Sequence, residues 1–319
     1  MMSVRTGPHG LPRILGWGAA MAGALAILTA SPALAARPSH GGGGGGGGSS
    51  STTGNDVSYP QCGGSLPSGQ AFGIVGVSDG LANTPNPCLG PSPSYPSYTE
   101  SELYWAFATS IGGTAQPPAS LYVNTADPGD SYNGSVISDW PTSGSTPYGS
   151  CTTTTVTLSS GTYSVGANSD ACAWQYGYNK ATQDASWLAA AASAINAQES
   201  STTVPGMASR FPWWLDVETG NTWQSDTTMN VADLQGMIAG LQAAGAGSVG
   251  VYSTTAQWDS ITGSTTNASG ALWDIPEWVA GARTASEAQG NCTQTSFTGG
   301  VVSLAQWSGR PFDGDVVCP

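Results

Sequence analysis

The chain has 319 residues, 7 of them basic and 20 acidic, for a net charge of -13. A surface of that sign repels nucleic acid and anionic membranes, so neither is expected as a partner. Its two histidines, His9 and His40, fall outside residues 54–319, which excludes Ser-His-Asp, Cys-His and H-E-x-x-H chemistry from that region.

Residues 1–35 have the pattern of a secretory signal peptide. Arg5 and Arg13 supply positive charge, Ile14 to Thr29 is apolar, and Ala33-Leu34-Ala35 is an A-x-A cleavage site. The mature protein is therefore expected to be secreted, with no membrane attachment after cleavage. Residues 36–53 contain an eight-glycine run followed by Ser and Thr, the composition of a flexible tether. Residues 54–319 are expected to form one domain. They hold all six cysteines: Cys62, Cys88, Cys151, Cys172, Cys292 and Cys318. An even count in an exported chain predicts three disulfides. Several pairings are open, and sequential pairing is expected because it closes short local loops. No C-x-x-C pair and no EF-hand loop occurs, so no metal and no cofactor are expected.

Along this domain, short apolar runs alternate with helical patterns. Asn55 to Tyr59 and Ala71 to Val77 read as the first two strands. A helix is expected from Tyr98 to Ile111, with Thr99 and Glu102 as a capping box. Ser120 to Asn124 is a third strand. Residues 126–173, rich in Ser, Thr, Gly, Pro and Tyr and holding two cysteines, read as a long excursion beside the mouth of the fold. An Ala-rich helix over Asn179 to Gln198 leads to a fourth strand, Trp213 to Glu218. Asn230 is the expected N-cap of the next helix, which stops near Gly245. Val249 to Ser253 is a fifth strand, followed by a short helix over Thr255 to Ile261. Pro276 to Ala280, Val301 to Trp307 and Asp315 to Val317 complete eight strands. Helical periodicity is poor over Ala282 to Gly300. The pattern predicts an α/β protein, a (β/α) barrel of TIM type, with helices missing or reduced after the fifth unit.

Carboxylates are the available proton carriers. Residues i and i+2 of a strand share a face, so Asp216 and Glu218 form a pair at the end of the fourth strand, where such barrels build their sites. Asp56 and Asp315, on the first and eighth strands, are expected near the same mouth. Clustered acids suit glycoside hydrolysis, in which one carboxyl donates a proton and another stabilises positive charge at the sugar carbon. Trp223, Trp307 and Trp278 lie near these strand ends, and an indole face stacks on a sugar ring. Tyr252, Asn124 and Asp79 complete the expected substrate-binding set.

Six short motifs in order resemble glycoside hydrolase family 25, the lysozyme-type muramidases. They are Gly54-Asn55-Asp56-Val57-Ser58, Leu215-Asp216-Val217-Glu218, Gly250-Val251-Tyr252-Ser253, Trp278-Val279-Ala280, Gln306-Trp307 and Asp315 near the chain end. The resemblance implies a barrel that loses helices after its fifth unit. It implies Glu218 as proton donor, Asp216 assisting at the sugar carbon, and Asp56 and Asp315 shaping the site. The segments Gly76-Val77-Ser78-Asp79-Gly80 and Tyr122-Val123-Asn124, and the 126–173 excursion, depart from the family pattern. Three functions follow: a secreted glycoside hydrolase acting on peptidoglycan or another extracellular glycan, a non-catalytic glycan-binding barrel, or a cell-envelope interaction protein with the 126–173 excursion as its contact site.

Overall fold

Strands buried on both faces read as nearly continuous apolar runs, and such runs build the centre of this molecule. A computed structural model describes residues 52–264 and 271–319; the expected signal segment and most of the tether lie outside the described residues. Eight strands close into a barrel. They are β1 (Thr53–Val57), β2 (Gly73–Gly76), β3 (Ala119–Asn124), β4 (Trp213–Asp216), β5 (Val249–Ser253), β6 (Glu277–Ala282), β7 (Val302–Trp307) and β8 (Asp313–Val317). Strands β1 to β7 are parallel to their barrel neighbours in turn, whereas β8 runs antiparallel to both β1 and β7.

The barrel is the expected α/β architecture, with its helices distributed unevenly. The helices are α1 (Glu102–Thr109), α2 (Asp170–Asn196), α3 (Thr227–Ala243), α4 (Thr255–Thr262) and α5 (Ala285–Asn291). Helix α5 occupies part of the stretch where periodicity is poor, and its first turn is capped by Thr284 accepting from the Glu287 amide. Helix α2 begins earlier than the Ala-rich run suggests, because Ser169 caps it by accepting from the Cys172 amide. The cap of α3 is Asp226, not Asn230. Asn230 instead binds Gln224 and the Ile261 carbonyl. Likewise the capping box falls at Ser97 and Glu100, and Ser101 caps α1, so Glu102 is free to turn inward.

Alternation along the strands sorts the core into two layers. Outward residues such as Val57, Leu121, Trp213, Leu215 and Val251 pack under the helices. Inward residues Phe72, Ile74, Trp214, Trp278 and Leu304 fill the barrel. Helices α2 and α3 approach so closely that a Cβ on Gly236 would sit 1.9 Å from the Trp174 carbonyl oxygen. Glycine is required there by space alone.

Between β3 and α2 the chain forms three antiparallel hairpins: Ser131–Tyr132 with Ser135–Val136, Gly144–Thr146 with Gly149–Cys151, and Thr153–Leu158 with Gly161–Gly166. Disulfides join Cys62 to Cys88, Cys151 to Cys172 and Cys292 to Cys318, the sequential pairing expected. The second ties a hairpin to the first turn of α2. Trp140 and Tyr176 pack beside it, their ring centroids 5.3 Å apart. Among the described residues no helix is long and apolar enough to cross a membrane.

Candidate active site

The carboxyl ends of the parallel strands surround an open cleft of about 170 Å³. Inward alternation places its lining. Trp214 and Asp216 of β4 face the barrel interior, and Glu218, two residues on, continues that face at the lip. Tyr122 on β3, Tyr252 on β5, Trp278 on β6 and Gln306 on β7 do the same. Asp56 and Asp313, paired in the register of β1 and β8, close the circle.

Asp216 is buried at 6% exposure. Its Oδ2 accepts from Asn124 Nδ2 at 2.9 Å, and Asn124 is held in turn by the Ser78 hydroxyl, which donates to its Oδ1 at 3.1 Å. Asp216 Oδ1 has no hydrogen-bond partner among the described residues. Burial holds the Asp216 carboxyl well above the usual carboxylate range, and the charges of Glu218 and Asp56 push the same way. Glu218 is half-buried, and its carbonyl accepts from Trp223 Nε1 at 2.8 Å. Trp223 therefore braces the loop after β4 without lining the cleft.

From Tyr252, the register neighbour of Asp216, a chain of bonds crosses to the far wall: the Tyr252 hydroxyl donates to Gln306 Oε1 at 2.8 Å, and Gln306 Nε2 donates to Asp56 Oδ2 at 3.0 Å. Burial, reinforced by the charge of Asp313, raises Asp56 to about 7. Asp315 is fully buried beneath it, accepting from Trp278 Nε1 at 2.8 Å. Burial and then the Asp56 charge push Asp315 far up. These two acids meet as expected, but Asp315 lies below the cleft floor and Asp313 lines it. The reason is strand direction. Because β8 is antiparallel, its N-terminal residue stands at the mouth, and Asp313 and Asp315 share the inward face.

Trp307 differs from expectation. Gln306 faces inward, so Trp307 faces outward and lies over Gly314, where a Cβ would sit 2.0 Å from the indole. Asp79 lies on the loop after β2, its amide donating to the Thr84 carbonyl, and it does not line the cleft. Tyr122, Gln306 and Asp313 join the cleft beyond the expected set. The inward alternation that marks Asn124 also marks Tyr122. Among the described residues, one group has metal-ligand spacing, Cys62, Cys88 and Glu102, but its sulfurs are bonded to each other and it lies away from the cleft.

The buried acids make stability depend on pH. Burial raises Glu102, whose Oε2 accepts from Asn86 Nδ2 at 2.7 Å, to about 8, and raises Asp56 to about 7. In the unfolded chain both titrate near 4. Between those values the folded protein binds more protons than the unfolded one, so stability falls as pH rises through that window. Glu199, held at about 2 by the Ser201 hydroxyl and amide, acts in the opposite sense only in more acid solution. Thermal melts are expected to give a higher Tm at pH 5 than at pH 8.5. An equal or higher Tm at pH 8.5 would contradict these protonation states.

Comparison with known proteins adds sequence likeness to this geometry. Residues 190–293, which contain β4, β5 and β6, match the family model described as Lysozyme-like protein 1. Over 67 residues, 21% of the chain, it is 42% identical to "Probable GH family 25 lysozyme 4" of Dictyostelium discoideum and 40% identical to "Probable GH family 25 lysozyme 2" of the same organism. Each match spans 29% of the relative's own length. Among solved structures, the bacterial lysozyme of Streptomyces coelicolor aligns with a TM-score of 0.41 at 16% identity, covering 85% of this chain and 93% of that one. A muramidase of Trichobolus zukalii aligns with a TM-score of 0.41 at 14% identity, covering 84% and 93%. The chain is thus similar to lysozyme-type proteins of glycoside hydrolase family 25, as its strand motifs imply.

Proposed function

We propose that the protein is a secreted glycoside hydrolase that cleaves the glycan of peptidoglycan or a related extracellular polysaccharide, with Glu218 as general acid and Asp216 as its supporting carboxylate. The observation that carries this reading is the placement of the two carboxyls. Asp216 is on the floor of the cleft and Glu218 at its lip, on one face of one strand end. The likeness to lysozyme-type proteins over 190–293 supports the same substrate class.

Two neighbouring carboxyls cannot both ionise freely, so the pair retains a proton toward neutral pH. In the empty cleft burial places it on Asp216. A sugar seated in the cleft brings its glycosidic oxygen to Glu218 at the lip, the carboxyl placed to pass the proton of the pair to the leaving group. Asp216 is left as an anion, steadied by the Asn124 amide, where positive charge develops at the sugar carbon. Asp56, tied to Gln306, shapes the opposite wall. Tyr252, partly exposed and packed on the buried Trp278 with ring centroids 4.5 Å apart, offers aromatic surface to the ring, whereas Trp278, expected to bind substrate, supports it from below.

Reducing-end release from purified peptidoglycan and a panel of neutral glycans tests the reading. Release from at least one glycan is expected. Binding without release across the panel would leave a glycan-binding barrel.

A further inference from the structure

The cleft does not end at the catalytic carboxyls. A groove of about 230 Å³ shares Asp56, Tyr122 and Asp313 with it and runs past Tyr59 to Gly80 on one side and Asn124 on the other. A second groove, of about 300 Å³, begins at Leu81 and Ala126. Leu81 follows Gly80 directly, and Ala126 lies two residues beyond Asn124. The ends of β2 and β3 therefore carry one path outward from the cleft.

The far wall of this path belongs to the excursion, through Tyr132, Val136 and Ile137. Tyr132 is 49% exposed and Leu81 61%, so both leave apolar surface open along the path. Tyr132 is also fixed in place. Its hairpin closes through Asn133 and Gly134, with φ of 49° and 76°, the two left-handed residues of a type I′ turn. At the base, the Ile137 amide donates to the Asp130 carbonyl at 3.0 Å, and Trp140 is anchored on Tyr176. A rigid aromatic with few rotamers loses little entropy on binding. The second groove has one charged lining residue, Asp139, and Lys180 pairs with it. The path therefore presents a neutral, partly apolar face.

We propose that this path seats a neutral sugar unit of the glycan strand remote from the scissile bond, stacked on Tyr132 and Leu81, so that the excursion makes the protein prefer long strands. The proposal rests on the glycosidase reading, and its chemistry is that of a pyranose ring against an aromatic and an aliphatic face.

The test uses the full protein carrying Glu218→Gln, which holds substrate without turning it over, and measures binding of peptide-free glycan strands and of a disaccharide. Tyr132→Ala is expected to lower the ratio of strand affinity to disaccharide affinity roughly tenfold, the effect of a single aromatic contact. Tyr132→Phe retains the ratio, because the ring and not the hydroxyl makes the contact. Leu81→Ser, on a separate loop, lowers it in the same direction. Ile111→Ala, on the exposed loop before β3, leaves it unchanged. An unchanged ratio in both Tyr132→Ala and Leu81→Ser, with the wild type still releasing reducing ends, would overturn this inference alone. Tyr132-dependent binding of a free stem peptide, with strands indifferent to Tyr132, would assign the path to peptide and also overturn it. A wild type that releases no reducing ends would defeat the glycosidase reading itself.

Discussion

Glu218→Gln is expected to lower kcat on a hydrolysable glycan by at least roughly 10²–10⁴-fold, the contribution of a general acid. The amide keeps the shape of the side chain and can still hydrogen-bond, so ligand affinity is expected to survive. Folding is expected to survive as well, because Glu218 is half-buried at the lip and its backbone carbonyl keeps the Trp223 contact. Asp216→Asn is expected to lose rate by a different route. It removes the anion that faces the developing positive charge and the competitor for the shared proton. Equal turnover by wild type and Glu218→Gln, both shown folded by thermal melts, would remove Glu218 from the mechanism.

The largest expected loss of stability is at Trp278. Its indole is 2% exposed and lies at the centre of the barrel, with ring centroids 4.5 Å from Tyr252 and 6.1 Å from both Tyr122 and Trp214. Its N–H satisfies Asp315 Oδ1. Trp278→Ala opens a cavity among residues that belong to rigid strands and cannot collapse inward, and it leaves the Asp315 oxygen without its donor. Such aromatic truncations cost about 3–5 kcal/mol, and an orphaned buried acceptor adds to that. Trp278→Phe retains part of the volume but not the donor, and its loss is expected to be intermediate. Denaturant unfolding measures both. A loss below about 1 kcal/mol for Trp278→Ala, well under the range for a buried aromatic, would contradict a barrel closed around the indole.

The carboxylate pair was legible because a strand has period two and little else can displace it. The strand ends at Asp216, two residues earlier than expected, and Glu218 still lines the same cleft. The same rule, applied to Gln306 and Trp307, separates them onto opposite faces, and proximity in sequence to an acid was a poor guide to the cleft. Trp223 shows this too: it lies five residues from Glu218 and spends its indole N–H on a carbonyl. Asp313 was hidden by a different cause. Strand direction is not written in periodicity, and only the antiparallel pairing of β8 places Asp313 at the mouth and Asp315 below it. Helix ends were misplaced where several capping residues compete. Asp226 and Asn230 both suit an N-cap, and the choice fell to Asp226 because Asn230 is drawn into the Gln224 and Ile261 contacts. The disulfides followed the shortest loops. The three hairpins of the excursion were not foreseen, although Asn133-Gly134 carries the signature of the first.

The central claim, that this cleft breaks glycosidic bonds, is tested most directly by mass spectrometry of the soluble products from purified peptidoglycan, comparing wild type with Glu218→Gln. Wild type is expected to release fragments ending in a reducing sugar with their stem peptides intact, and Glu218→Gln to release none above background. Fragments cut at amide bonds, or identical sugar-terminated products from both proteins, would contradict the account.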